Sequence, residues 1–82
     1  EGIVLGRSRQ ADIQVLEEHV SRVHARLAFR KGYLEVKDLG SSNGTLILVP
    51  YQHLSSGERG PLSRSSRLRL GRHGPDLDIS YK

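Results

Sequence analysis

Val23-His24-Ala25-Arg26-Leu27-Ala28-Phe29-Arg30-Lys31-Gly32-Tyr33-Leu34-Glu35-Val36-Lys37 is the stretch from which the fold class is read. Val23, Ala25, Leu27 and Phe29 fall on one face of an extended chain, with His24, Arg26 and Ala28 on the other. Leu34 and Val36 alternate in the same way with Tyr33, Glu35 and Lys37. Arg30-Lys31-Gly32, standing between two alternating runs, is a hairpin signal.

Further short alternating or apolar runs flank this unit, at Gly2–Leu5, Asp12–Leu16, Thr45–Val49, Arg67–Leu70 and Leu77–Tyr81. The breakers Gly6, Gly40, Asn43-Gly44, Pro50, Gly57, Gly60-Pro61 and Gly71–Pro75 separate them. Only Ile13–Val20 has any helical reading, and it is short. Many closely spaced strands in 82 residues predict one all-β domain over 1–82, a sandwich or a barrel. The Ser/Arg/Gly-rich stretch Ser55–Ser66 reads as a mobile loop.

Composition narrows the chemistry. With no cysteine, disulfides and thiolate metal sites are excluded, and nothing points to an oxidising compartment, so a cytoplasmic location is expected. The four histidines, at 19, 24, 53 and 73, never stand three or four residues apart, and no metal site or cofactor is expected. The longest apolar run, Leu46–Tyr51, is far short of the roughly 20 residues a membrane helix needs. A net charge of +4 suits an anionic partner, but solubility alone explains it equally well. The chain has no dense Lys/Arg run, no recognition helix and few aromatic residues, so nucleic-acid binding ranks last.

Three segments place arginine or small hydrogen-bonding residues beside strand ends: Gly6-Arg7-Ser8, Ser21-Arg22-Val23-His24 and Ser41-Ser42-Asn43-Gly44-Thr45. A phosphate monoester offers three acceptor oxygens and a charge of about −1.5 to −2, and it binds best to guanidinium forks, hydroxyls and free backbone N–H groups. Arg7 and Arg22 supply the first kind of donor, Ser21 and Ser42 the second, and the Asn43-Gly44 turn the third. Ser21 and His24 raise the question of a hydrolase. No Cys nucleophile, orienting carboxylate or nucleophile-elbow sequence accompanies them, so no catalytic residue is assigned.

Gly6-Arg7, Ser21-Arg22-x-His24 and Ser41-Ser42-Asn43-Gly44-Thr45 in this order resemble the signature of the forkhead-associated (FHA) domain family. Asp12-Ile13, Tyr33-x-x-Val36-x-Asp38-Leu39-Gly40 and the closing Pro61-Leu62…Arg67–Gly71 resemble its intervening segments. The resemblance implies a twisted two-sheet β-sandwich whose loops at one end grip phosphothreonine in an extended peptide of a threonine-phosphorylated partner. It implies phosphate contacts from Arg7, Ser21, Arg22 and Ser42, and a peptide-backbone contact from Asn43. Gly6, His24, Gly44 and Thr45 then act as scaffold, and Asp12 and Asp38 occupy turn positions.

Three departures accompany the likeness. Leu46–Tyr51 replaces the family's usual Val-Asn-Gly, which puts the late strand pairing in question. Ser65-Ser66 stands in place of Gly-Asp, and the chain opens at what resembles the family's second strand. The expectation is a monomer within a larger multidomain or membrane-anchored parent, with a sheet edge open to pairing. The alternative function is an FHA-like scaffold that makes phosphorylation-independent contacts.

Overall fold

The computed structural model, which describes residues 2–82, resolves the alternating runs into strands of two sheets. The first sheet is built from β1 (Ile3–Gly6), β2 (Ile13–Gln14), β3 (Ala25–Arg30), β4 (Tyr33–Asp38) and β7 (Arg59–Leu62), in the order β2-β1-β3-β4-β7. The second is built from β5 (Thr45–Leu48), β6 (Tyr51–Leu54), β8 (Ser65–Leu70) and β9 (Asp76–Ser80), in the order β6-β5-β8-β9. All pairings are antiparallel except β1 with β2. The all-β, two-sheet expectation holds. Among the described residues no helix is long and apolar enough to cross a membrane.

The decisive stretch folds as its pattern predicts. Arg30 pairs with Tyr33 across a two-residue turn in which Lys31 and Gly32 both have positive φ, 56° and 88°. That turn geometry matches the right-handed twist of the strands it joins. Ala25 and Leu27 from β3 and Leu34 and Val36 from β4 are buried, and they meet Ile47, Leu68 and Leu70 of the second sheet. Leu5, Val20, Leu54 and Leu62 complete one apolar cluster. The same alternation carries past Val36 to Asp38, so a carboxylate lies on the core side of β4 at the end of the sandwich and is fully buried.

Several expectations are corrected. Val23 and Phe29 are exposed although they share the parity of buried Ala25 and Leu27. Val23 precedes β3, and Phe29, near the far end of that strand, packs edge-on against Tyr81 at 5.4 Å instead of entering the core. Asp12–Leu16 shortens to the two-residue β2. Ser55–Ser66 is not one loop. Glu58 closes a tight turn by accepting from the Ser55 N–H and donating its own N–H to the Ser55 carbonyl, and β7 follows at once. Gly60-Pro61 reads as a breaker, yet Pro61 sits on an edge strand, where a missing N–H costs no sheet hydrogen bond. Leu46–Tyr51, where the pairing was in question, continues β5 through Val49-Pro50 directly into β6. Ser65-Ser66 starts β8, with Ser66 opposite Ile79.

Candidate functional site

The three segments singled out from sequence come together at one end of the sandwich and are bonded directly to one another. The Arg7 and Ser8 N–H groups donate to the Ser21 and Arg22 carbonyls at 2.9 and 3.0 Å. This close run of the two segments explains Gly6. A Cβ there would lie 2.1 Å from the Arg22 carbonyl oxygen and 2.8 Å from its carbon. Arg7 is exposed, and its Nε donates to the Val20 carbonyl at 3.0 Å. That bond anchors the guanidinium and leaves its two terminal nitrogens without a protein partner among the described residues.

Ser21 links the second segment to the third. Its Oγ accepts from the Ser42 N–H at 2.9 Å, so the hydroxyl proton remains available to a ligand. Asn43 is aimed by two contacts: its Nδ2 donates to the His19 carbonyl at 3.0 Å, and its Cβ rests against Gly71, where any added Cβ would meet it at 3.1 Å. Oδ1 and the second Nδ2 proton of Asn43 stay free for an extended ligand. Of the backbone donors in the third segment, the N–H groups of Ser42 and Gly44 are already bound to the Ser21 and Ser41 hydroxyls. The turn therefore offers fewer free donors than its sequence suggests, and among the described residues the Asn43 N–H alone of these three has no protein partner. Arg22 is exposed and its guanidinium has no protein partner among the described residues.

Behind this surface lies a buried polar frame. His24 is fully buried; its Nδ1 accepts from the Ser21 N–H at 3.0 Å, and its Nε2 lies 2.7 Å from the Gly44 carbonyl. Nδ1 as an acceptor places the proton on Nε2, which donates to Gly44. Both ring nitrogens are thus committed to the backbone, and His24 is not positioned to take the Ser21 hydroxyl proton as a general base would. The Asp38 carboxylate accepts from the Gly40 and Ser41 N–H groups at 3.1 and 3.0 Å, from the Ser41 hydroxyl, and from the Thr45 hydroxyl at 2.7 Å. Gly44 has φ of 83°, and a Cβ there would strike the His53 ring at 2.4 Å. Its positive φ calls for glycine, whereas the exposed His53 side chain could swing aside.

Sequence reasoning missed Asp38 and Ser41 as organisers. Their signal was present: a carboxylate accepting from N–H groups two and three residues on is the turn that Asp commonly forms. It also missed the cleft beside Asn43. This cleft, about 550 Å³, is lined by Ser41, Ser42, Asn43, His53, Arg72 and His73. Arg7 and Ser21 do not line it; Ser42 and Asn43 connect the two regions. His53 and Arg72 come from β6 and from the turn after β8, and no local spacing links them to Asn43.

The overall fold is similar to that of known proteins. The first FHA domain of Rv1747 from Mycobacterium tuberculosis is similar at 28% identity and a TM-score of 0.79, over 95% of this chain and 76% of that one. An FHA domain of an Arabidopsis thaliana protein is similar at 28% identity and a TM-score of 0.81, over 100% and 69% of the two chains. EmbR of Mycobacterium tuberculosis, solved with a low-affinity phosphopeptide, is similar at 23% identity and a TM-score of 0.75, over 99% of this chain and 21% of that one. No curated protein matches at the level of sequence. The profile of the FHA domain matches residues 3–79, and the chain therefore belongs to the FHA domain family.

Proposed function

We propose that this protein is a non-catalytic module that binds a phosphothreonine-containing segment of a partner protein and acts as a signalling adaptor. The observation that carries the reading is the joining of Arg7, Ser21 and Ser42 into one rigid surface by hydrogen bonds that leave their ligand-facing donors free. The Arg7 fork and the Ser21 and Ser42 hydroxyls converge on the phosphate, and the exposed Arg22 adds charge at its margin. Asn43 holds the peptide backbone beside the phosphothreonine, and the peptide continues over the cleft flanked by His53 and Arg72. The relative solved with a phosphopeptide and the membership of a family of interaction modules support this reading.

Gly6, His24, Gly44 and Thr45 hold the loops and touch no ligand in this scheme. Binding is tested by titrating matched phosphothreonine and unphosphorylated peptides, taken from an oriented library, against the protein. Arg7→Ala is expected to cost about 2–5 kcal/mol of phosphopeptide affinity, as loss of one partner from a charge-assisted contact does. Equal binding of the two peptides, or an Arg7→Ala variant that binds as well as its parent, overturns the assignment.

A further inference from the structure

The cleft beside Asn43 has a lining of one chemical kind. Four serines bring hydroxyls to it, Asn43 an amide, His53 and His73 imidazoles and Arg72 a guanidinium, with Gly44 the remaining residue. Every side chain there can donate a hydrogen bond; none is a carboxylate and none is apolar. Such a wall replaces the hydration of an anion and gives an apolar group nothing to pack against.

All the exposed histidines of the chain meet at this place. His24 is buried and committed to the backbone, whereas His19, His53 and His73 are exposed and come from three separate segments. His53 and His73 line the cleft with Asn43. The His19 carbonyl accepts from Asn43, and the His19 ring lies edge-on to His73 with ring centres 6.4 Å apart. Tyr51 and Arg72 border His53 in the smaller hollow next to it, and Leu46 lies opposite both His53 and Arg69. The nearby carboxylates are engaged elsewhere: Asp76 with Arg69 at 2.7 Å, Glu58 with the Ser55 N–H at 2.8 Å, and Glu18 with His19 at 3.8 Å. His53, His73 and Arg72 have no carboxylate partner among the described residues. Histidine is the side chain that ordinarily changes charge between about pH 5 and 8. Protonation of the pair therefore raises the positive charge lining the cleft from that of Arg72 alone to three.

We infer that Arg72, His53 and His73 form a titratable subsite for a second anionic side chain, a carboxylate or a phosphate, carried by the partner segment that bears the phosphothreonine. The inference rests on the phosphopeptide reading above: Ser42 and Asn43 join the two regions, so a peptide held at Asn43 brings neighbouring side chains over the cleft. At about 550 Å³ the cleft has the size of a pocket for one discrete group, not for a run of a polymer. An anion there meets one cation at alkaline pH and two more as the histidines protonate, so the subsite strengthens as pH falls.

The test uses the whole protein and a phosphothreonine peptide in an alanine background. One glutamate, glutamine or phosphoserine is placed in turn at each position flanking the phosphothreonine. Dividing the affinity of the glutamate peptide by that of the matching glutamine peptide cancels the titration of the phosphothreonine itself, which takes up a proton near pH 6. At one position the ratio is expected to be about twofold at pH 8 and about fivefold at pH 6, the size of exposed charge pairs. His53→Gln with His73→Gln leaves the ratio flat with pH, and Arg72→Gln lowers it at both. A phosphoserine peptide that binds more tightly than the glutamate peptide at pH 8 identifies phosphate as the anion; the reverse order identifies a carboxylate. Inorganic sulfate, whose charge is constant over this range, tests the cleft without any peptide. In the Arg7→Ala protein it is expected to shift the ring resonances of His53 and His73 beyond chloride of equal ionic strength, more at pH 6 than at pH 8. If phosphorylated and unphosphorylated peptides bind the parent protein equally, the function proposed above fails, and the sulfate response alone decides the subsite. A glutamate-to-glutamine ratio of one at every position, a pH dependence that survives loss of both histidines, or His53 and His73 rings indifferent to sulfate overturns the inference.

Discussion

Replacing Asp38 separates the frame of the candidate site loops from the surface they present. Its fully buried carboxylate receives four hydrogen bonds, two from backbone N–H groups and two from hydroxyls. Asp38→Ala strands the Gly40 and Ser41 N–H groups, which cannot turn away, while the Ser41 and Thr45 hydroxyls can rotate toward other acceptors. Two stranded donors at about 1–3 kcal/mol each, partly relieved by entering water, give an expected loss of about 3–4 kcal/mol. For a domain of 82 residues, total stability is roughly 4–12 kcal/mol, so this loss is a large fraction of the whole. Asp38→Asn is the informative partner. Its remaining oxygen can face the two N–H groups while its amide donates to the hydroxyls, and the expected loss falls to about 1–2 kcal/mol. Urea unfolding of the three proteins gives the stabilities, and phosphopeptide titration at low denaturant gives the affinity of the folded fraction. Asp38→Asn should retain binding within a few fold, and Asp38→Ala should lose much more because Ser41 no longer fixes the Gly44 N–H. A loss below about 1 kcal/mol for Asp38→Ala, or equal losses for the two variants, refutes the account of Asp38 as the acceptor that orders this loop.

Gly6→Ala drives a methyl group into the Arg22 carbonyl, which is backbone and cannot yield cheaply, so about 2–3 kcal/mol of stability is expected to go, read by thermal unfolding. Asn43→Ala is expected to weaken phosphopeptide binding about tenfold, in titration calorimetry, while altering stability by less than about 1 kcal/mol because the residue is exposed. Hydrogen bonding from Arg69, together with its charge, holds the Asp76 carboxyl below the ordinary carboxylate range. The stability this adds is complete above the unfolded-state value of about 3.9 and disappears as pH falls through the lower folded one. Asp76→Asn should therefore be less stable than the parent at neutral pH, with the gap closing in acid, as urea midpoints across pH will show.

How much of the fold is legible in the sequence depends on the range over which each feature is determined. The β3–β4 hairpin is local: its two alternating runs and the Lys31-Gly32 turn contain everything needed to fix its register, and the structure agrees with them. β6 and β7 are different. Tyr51–Leu54 has three exposed residues and one buried one, and Arg59–Leu62 contains both glycine and proline. Their extended form comes from the strands they pair with, β5 for one and β4 for the other. The site residues divide in the same way. Arg7, Ser21, Ser42 and Asn43 sit in short segments whose residue types match phosphate chemistry, and hydrogen bonds bring those segments together at one end of the sandwich. Asp38 is visible in the sequence but reads as a turn residue, because only its burial turns an ordinary Asp turn into the common acceptor for Gly40, Ser41 and Thr45.

The hydrogen bonds also suit the proposed site to binding. Ser21 commits one lone pair to the Ser42 N–H, Arg7 commits Nε to the Val20 carbonyl, and Asn43 commits one amide proton to the His19 carbonyl. Each residue thus has its orientation set by one group and keeps another for the ligand. On the phosphopeptide-binding reading proposed above, loops tethered in this way need little further ordering to receive a phosphate, and the entropy cost of binding is correspondingly reduced. His24 and Asp38 serve that end from beneath, one binding the second segment to the third and the other folding the third upon itself. A catalytic site would need a mobile proton and a base with a free lone pair directed at a nucleophile. Here the buried imidazole has neither nitrogen to spare, so the same geometry that prepares the surface for binding withholds His24 from chemistry.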